Sequence, residues 1–508
     1  MSAVQSPLFE PVLWLGTGFK ILDESQIPEK LEYLAVNDVG QALDAVQEMR
    51  TRAFGQVLTF LYSGALLAQS HPVKDVGALR RRLAKMTQQF CDARPTFDFR
   101  GLGSFFEKWL DELPPDGDPQ GAIATRAREF GQHIVRGRSA RAKRAAAILP
   151  NPACVMTHCN VSGELVAVAL HCKHLGKELS VIATETRPYL QGTRLTAWEL
   201  AQAGVPVSII PDAAVAEVID QGPVNAVIVG ADRSAQNGDI INKVGTYPLA
   251  LIAKEYGVPF HALVQDPRSL LAGADVPIEE RPAAELLTFQ GKSLVPSNVG
   301  SLHVRYPSFD VTPAALITYL IDFDAIYTPE SFRQKFQVQP TQQTRNGEPS
   351  GKYVLVYGVP PESQYAFLRS ALRAEQAESV LVPEMRPQLW GAQRVVPELL
   401  ELKIPVTLIS DNTMGTLFAQ GEIRKVCLFY DKLTDAGPGG ICGSLLAVRL
   451  AGLHNVGVEL FSGAEQCGAT LDKDASTFLG KYICPAGASV RPGNAEVIPW
   501  SLLRKQKN

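Results

Sequence analysis

The chain lacks most of the features that mark the simplest protein classes. Its 508 residues hold only eight cysteines (Cys91, Cys154, Cys159, Cys172, Cys427, Cys442, Cys467 and Cys484), and no two are spaced C-x-x-C. A zinc ribbon or thioredoxin-type site is therefore excluded, and most thiols are expected to act as small buried apolar groups in a reducing compartment. The eight histidines include no H-x-x-x-H pair, so a metal site is not expected. Positive charge is in no excess: 49 Lys and Arg stand against 52 Asp and Glu, a net charge of −3. That balance argues against nucleic-acid binding. The basic stretches Arg80-Arg81-Arg82 and RGRSARAKR (136–144) read as solvated helix faces or interdomain surface. No apolar run approaches the ~18 residues of a membrane span. The opening MSAVQSPLFEPVLWLG has neither the basic head nor the apolar stretch of a signal peptide. A cytoplasmic protein without membrane partners is the expectation.

What the chain does have is apolar material, 46% of its residues, enough for several cores. The length suggests about three domains. Residues 1–149 read as mainly helical, with apolar positions at i, i+3 and i+4 in ALDAVQEMRTRAFGQVLTFLYSGALLAQ. From residue 150 to 332, short β-branched runs alternate with helical ones, the rhythm of βαβ units and a parallel sheet. VNAVIVGA has the continuous apolar character of a strand buried on both faces. Residues 333–351 are polar, with Pro and Gly, and read as a linker. Strand–helix alternation then resumes over 352–508.

That resumption is a repeat. A shift of 199 residues overlays Ser180–Asp232 on Ser379–Asp431 without a gap, with 17 of 53 positions identical. Glu185, Arg187, Pro188, Gly192, Asp212 and Asp232 match Glu384, Arg386, Pro387, Gly391, Asp411 and Asp431. The match fails at reactive positions. Cys159 faces Gly358, Gln191 faces Trp390, and Asn242-Lys243 faces Ile441-Cys442. The second copy keeps scaffold residues and loses polar ones. The fold class is thus α/β: a helical N-terminal domain, a Rossmann-like parallel-sheet domain, and a degenerate second Rossmann-like domain.

Four segments carry candidate chemistry: THCNVSG (157–163), ETRPYLQGTRLTAWEL (185–200), GADRSAQNGDIINKVGTY (230–247) and FDVTPAALITYLI (309–321). The first three follow expected strands, at the carboxyl edge of the sheet where open α/β proteins bind ligands. Cys159 precedes a helix, whose N–H groups favour thiolate; considered alone, it reads more readily as a buried inert thiol. Asp232 ends an apolar strand, which suits a general acid or base, or else a helix cap or partner of Arg233. The guanidinium of Arg187 suits phosphate or carboxylate, or else an ion pair with Glu185. Asn242 and Lys243 are candidates for a substrate oxygen or phosphate, or else a solvated helix start. His158 neighbours Cys159, but sequence neighbours on a strand point to opposite faces.

Together these segments, with IEER (278–281) and PVLWLGTGFKILDESQIPE near the start, resemble the S-methyl-5-thioribose-1-phosphate isomerase family. That family is grouped with ribose-1,5-bisphosphate isomerase and with regulatory subunits of the eukaryotic initiation-factor exchange complex. The resemblance runs from near Leu8 through FDVTPAALITYLI. It implies an aldose 1-phosphate to ketose 1-phosphate isomerisation, as in methionine salvage, needing no cofactor or metal. The implied catalytic pair is Cys159 and Asp232. The implied substrate contacts are Arg94, Gln191, Asn242 and Lys243, with Arg52 from the family's R-G-A-P phosphate loop. Two departures bear on the substrate. The loop reads Arg52-Ala53-Phe54, losing a glycine and gaining a bulky ring. C-N-V-S-G-E-L replaces C-N-T-G-A-L, setting Glu164 near the expected crevice. The 5-substituent of the sugar is left open. The alternatives are a bisphosphate isomerase and a non-catalytic sugar-phosphate or nucleotide sensor. Family members usually pair as dimers, so the second copy is expected to act as an internal pseudo-subunit, and otherwise the chain is expected to form a homodimer.

Overall fold

The computed structural model describes residues 6–70, 75–95, 97–114, 116–296, 300, 302–338, 351–464, 472–493 and 495–504. The chain divides into two compact units: residues 1–148 with 161–175, and residues 149–160 with 176–508.

The first unit joins a three-stranded antiparallel sheet (Val12–Trp14, Phe19–Leu22 and Tyr33–Val36) to helices Val39–Gln47, Ala53–Ser70, Val76–Ala93, Phe99–Asp111, Pro119–Ile148 and Glu164–His174. Asp38, Asp75 and Asp98 each start a helix by accepting backbone N–H groups of the first turn. The apolar faces meet in an aromatic core where the Phe60 ring lies 5.2–5.4 Å from those of Phe90, Phe99 and Phe106. The basic stretch 136–144 is only partly solvated. Arg138 and Arg141 are buried and both hold the carboxylate of Glu164, through Arg138 Nε–Oε1 and Arg141 Nε–Oε2 bonds of 2.8 Å. Glu164, expected near a crevice, is instead the centre of this buried triad. The two guanidinium groups hold its carboxyl below the usual range despite burial.

The second unit contains both copies apart from residues 161–175. Its first sheet runs, in spatial order, Ile326–Tyr327, Tyr319–Ile321, Phe260–Leu263, Ala226–Gly230, Ala153–Thr157, Leu179–Thr184, Val207–Ile210 and Ser489–Val490. The second runs Gly457–Ser462, Ile423–Tyr430, Tyr353–Tyr357, Ser379–Pro383, Val406–Ile409 and His303–Val304. Apart from the antiparallel Tyr319–Ile321/Ile326–Tyr327 pair, all strand pairings in these two sheets are parallel. Five consecutive strands keep the same order in both.

The edges are exchanged. Ser489–Val490, from the C-terminal tail, pairs with Val207–Ile210 of the first sheet, and His303–Val304 pairs with Val406–Ile409 of the second. Each edge strand's open N–H and C=O groups are thereby satisfied by the other copy. Helix Val215–Asp220 packs on Ser444–Leu453, and Thr246–Glu255 packs on Met414–Ala419, so each contact is the mirror of the other.

Two ion pairs lie at the centre of this interface. Arg187 donates from Nε and Nη2 to the two oxygens of Glu384 at 2.8 Å each. Arg386 donates to Glu185 from Nε at 3.0 Å and from Nη2 at 2.8 Å. All four side chains are fully buried. Arg187, a candidate phosphate ligand, is therefore committed to protein, and its partner is Glu384 of the other copy rather than Glu185.

Helix Pro329–Phe336 enters the segment 333–351 expected as linker. Thr328 caps it, Pro329 begins it, and Phe332 is buried. Residues 339–350 lie outside the described residues.

Candidate active site

Parallel strands Ala153–Thr157 and Ala226–Gly230 are neighbours in the first sheet, with Val155 opposite Ala226 and Met156 opposite Val227. Cys159 and Asp232 each lie two residues beyond the carboxyl end of one of them. The two candidate catalytic residues therefore leave the same edge of the sheet from adjacent strands, which run about 4.8 Å apart.

Cys159 is half-buried and holds φ 67, a left-handed conformation unusual for a side-chain-bearing residue. Its backbone is pinned on both sides. Its N–H donates to Thr186 Oγ1 at 2.9 Å, and its carbonyl accepts from Thr196 Oγ1 at 2.7 Å. Asn160 donates to Thr196 Oγ1 and to Glu199 at 3.0 and 2.9 Å. Cys159 is not in the first turn of the helix that follows, which begins at Glu164.

Thr186 is itself strained, a β-branched residue at φ 61. Asp212 holds it in place. Its carboxylate accepts the N–H groups of Thr186 and Arg187, each at 2.7 Å. Burial pushes the Asp212 carboxyl up to about 7, the nearby Glu185 adding to the effect. His158 is buried beside this network, with Nδ1 2.7 Å from Thr184 Oγ1 and Nε2 2.8 Å from the Val244 carbonyl. The carbonyl requires a proton on Nε2, so Nδ1 accepts from Thr184. Burial lowers the imidazole to about 4, which keeps it neutral. It is a structural group and not a base for Cys159.

Gln191 begins the helical segment Gly192–Ala197, wound wider than an α-helix. Gly192 is required there, because a Cβ would fall 1.7 Å from the Thr184 carbonyl oxygen; Gly391 meets Pro383 in the same way at 1.9 Å. The Gln191 side chain is buried, and its Oε1 finds no hydrogen-bond partner among the described residues.

Asn242 and Lys243 end strand Ile240–Lys243 and are buried, so they do not form a solvated helix start. Asn242 donates to Thr246 Oγ1 at 2.9 Å. The Lys243 ammonium lies 4.9 Å from the Phe309 ring centre and 5.9 Å from that of Tyr189. The fourth motif supports the third: Phe309–Thr312 pairs antiparallel with Ile240–Lys243, and Asp310 accepts the N–H of Gly245 at 2.7 Å and of Tyr247 at 3.1 Å. Burial raises Asp310 to about 7.

The remaining candidates lie on the first unit. The Arg52 N–H donates to Glu24 at 3.0 Å, and burial raises the Glu24 carboxyl to about 7 against the pull of Arg52. Arg94 ends helix Val76–Ala93 and reaches the sulfur of Met49, so both arginines border the loop 49–52. Ala53 starts the next helix at φ 37, a conformation that favours the glycine this loop has lost. The Phe54 ring is covered by the Arg138 guanidinium at 4.0 Å.

A cavity of about 270 Å³, lined in part by Cys154, Ser180, Ser208, Ser489 and Arg491, lies where the tail strand joins the first sheet. It sits on the amino-terminal halves of the strands, away from Cys159 and Asp232, and we assign it no chemistry.

Sequence reasoning did not single out Asn160, Thr186 or Asp310 as supports of the site, because their roles depend on partners 27 to 65 residues away. It also missed that the repeat continues in a second register. At a shift of 186, Val304-Arg305, Val311 and Pro313 match Val490-Arg491, Val497 and Pro499. There Glu496 caps helix Ser444–Leu453 as Asp310 caps Thr246–Glu255. A deletion between the two registers hid the correspondence.

Known proteins agree with this architecture. The profile of the initiation factor 2 subunit family matches residues 56–323 and 345–437, and so extends into the second copy. A methylthioribose-1-phosphate isomerase from Desulforudis audaxviator is 34% identical over 337 residues, 63% of this chain and 94% of that protein. One from Geobacillus thermodenitrificans is 36% identical, covering 61% of this chain and 90% of its own. Among solved structures, 5-methylthioribose 1-phosphate isomerase from Pyrococcus horikoshii superposes with a TM-score of 0.58 at 29% identity, over 66% of this chain and 98% of its own. The delta subunit of translation initiation factor eIF-2B from A. fulgidus gives 0.53 at 31% identity, over 63% of this chain and 96% of its own. Each of these proteins is nearly fully matched by about two thirds of this chain. Among the described residues, no helix is long and apolar enough to cross a membrane. The chain belongs to the initiation factor 2 subunit family.

Proposed function

We propose that the chain is a methylthioribose-1-phosphate isomerase, an intramolecular aldose–ketose isomerase. The observation that carries this reading is the pair Cys159 and Asp232 at the carboxyl ends of adjacent strands, in a chain about 34% identical to proteins of that name. The C1 oxygen of such a substrate is blocked by phosphate, so the ring opens without a free aldehyde. Asp232 delivers a proton to the ring oxygen as its bond to C1 breaks. The hydrogen on C2 passes to C1, either as hydride or through a base. The C2 hydroxyl gives up its proton and becomes the ketone, so the net change is an isomerisation. Cys159 shuttles a proton or stabilises charge developing at C1 and C2.

Lys243 holds phosphate, which fixes geometry and contributes much of the binding energy, and Arg52 and Arg94 are substrate contacts by their match to the family's motifs. Asn242 is a substrate contact. Gln191 Oε1, a buried acceptor with no hydrogen-bond partner among the described residues, accepts a sugar hydroxyl. The Ala53–Phe54 variation bears on which 5-substituent is taken. Turnover of methylthioribose 1-phosphate, against a panel of pentose 1-phosphates differing at C5, tests the assignment. Full activity in both Cys159→Ser and Asp232→Asn rejects it. Binding without conversion favours a sensor, and preference for a 5-phosphate favours a bisphosphate isomerase.

We also propose that the second copy replaces the partner subunit. The exchanged edge strands and reciprocal Arg187–Glu384 and Arg386–Glu185 pairs support this, as an interface of two-fold type closed within one chain. Light scattering should give a monomer, and a dimer paired through residues 150–332 would refute the proposal.

A further inference from the structure

The second copy has lost its own cysteine and lysine, yet besides the Glu384 carboxylate it sends a side-chain amide into the first copy's network. Asn412 is buried. Its Nδ2 donates to Asp212 Oδ2 at 2.8 Å and to the Arg187 carbonyl at 3.0 Å. Its Oδ1 accepts from Ser410 Oγ at 2.7 Å, which fixes the orientation of the amide. The same Asp212 carboxylate receives the N–H groups of Thr186 and Arg187, and Thr186 Oγ1 receives the N–H of Cys159. A continuous chain of hydrogen bonds therefore runs Asn412, Asp212, Thr186, Cys159 and crosses from one copy to the other.

The mirror position is silent. The counterpart of Asn412 at a shift of 199 is Ala213. Ala213 packs against Gly443, which also touches Tyr357, as Asn412 packs against Gly245 beside His158. Asp411, the mate of Asp212, keeps its two backbone donors, Met385 and Arg386, but among the described residues no amide side chain reaches it from the other copy. A residue at this position serves the opposite copy. The polar amide is present in the copy that faces Cys159, and alanine in the copy that faces Gly358.

We propose that Asn412 is a positioning residue of the active site, supplied by the non-catalytic copy. It holds the strained Thr186–Arg187 turn, and through it the left-handed backbone of Cys159. The inference rests on the catalytic role of Cys159 given above, and its test separates the two. Iodoacetamide alkylation of Cys159, followed by peptide mass spectrometry with Cys91 as internal reference, reads the cysteine's setting without any turnover. Steady-state kinetics on methylthioribose 1-phosphate reads catalysis.

Asn412→Ala installs the residue already tolerated at the mirror position. It should change the Cys159 alkylation rate at least about fivefold, leave Cys91 unchanged, and lower kcat about tenfold with KM within about twofold. Asn412→Asp keeps the shape and removes the donor, and it should move both readouts in the same direction. That variant keeps the test open if the alanine protein folds poorly. Alkylation and kcat both within twofold of wild type, in a folded variant of either kind, would overturn the proposal. A shifted alkylation rate in a protein whose wild type turns over no pentose 1-phosphate would sustain the positioning role and sink the isomerase reading instead.

Discussion

The two copies make the same left-handed turn after their first strand, and they fill it differently. Cys159 sits there at φ 67 and Gly358 at φ 89. An L-residue in that conformation costs about 1–2 kcal/mol, and glycine almost nothing. The copy with the thiol tolerates the strain, and the copy without it has relaxed to the unstrained residue. The second copy has also closed over the position, since a Cβ on Gly358 would lie 2.1 Å from the Phe429 carbonyl oxygen. Degeneration therefore went past the loss of one side chain and removed the room for it. What both copies retain is the interface: the Arg–Glu pairs, the Asp212 and Asp411 caps and the exchanged edge strands. One copy keeps the candidate reactive residues, and the other keeps the scaffold.

That division can be broken by experiment. The largest effect is expected from Cys159→Ser and Asp232→Asn, each lowering kcat by about 10³-fold, while Asp431→Asn, the matched change in the second copy, leaves kcat within about twofold. Equal losses from Asp232→Asn and Asp431→Asn would erase the distinction between copies. Next is the interface. Removing one partner of a buried pair, as in Arg187→Ala, should lower stability by about 3–5 kcal/mol in chemical denaturation. Arg187→Met combined with Glu384→Met should cost clearly less than either single change, since no charge is then left buried alone.

Cys159→Gly should move stability and activity in opposite directions. Turnover is lost while stability rises by about 1 kcal/mol as the strain is released. A destabilised Cys159→Gly protein would contradict the strain argument. Ala53→Gly, in the first unit at φ 37, should likewise stabilise by about 1 kcal/mol.

The smallest and broadest effect is on pH. Burial raises Glu24, Asp212 and Asp310 to about 7 and Glu496 to about 8. A carboxyl with a raised folded-state value favours folding while protonated, and that contribution is lost as pH rises through the folded value. His158 is lowered to about 4, so its effect falls below about pH 6.5 and opposes the carboxyls there. The clean window is pH 6.5 to 8.5, where the denaturation midpoint should fall as pH rises. Asp310→Asn in the first copy and Glu496→Gln in the second should each flatten that slope. A midpoint that rises across the window would contradict the burial argument.

Much of this was legible in sequence. The ungapped shift of 199 residues exposed the second copy, because turn and cap residues such as Gly192, Gly391, Asp212 and Asp411 are dictated by local backbone needs that both copies share. Cys159 and Asp232 were legible as residues following apolar strands. Arg187 was not legible as an interface residue: a guanidinium beside a proline turn looks the same whether it meets phosphate or a glutamate 197 residues on. Glu164 was misread for a similar reason, since Arg138 and Arg141 come from a helix more than 20 residues earlier. The tail was missed because a deletion broke the register that would have linked Glu496 to Asp310.

The sequence by itself determined the strand–helix rhythm, the duplication and the chemical inequality of the copies, because these reside in local periodicity and residue identity. Only the tertiary structure decided that each copy lends the other an edge strand, a carboxylate and, in one direction, an amide. Those contacts join residues 200 or so positions apart, and no local pattern records which buried charge or open strand edge will complete which.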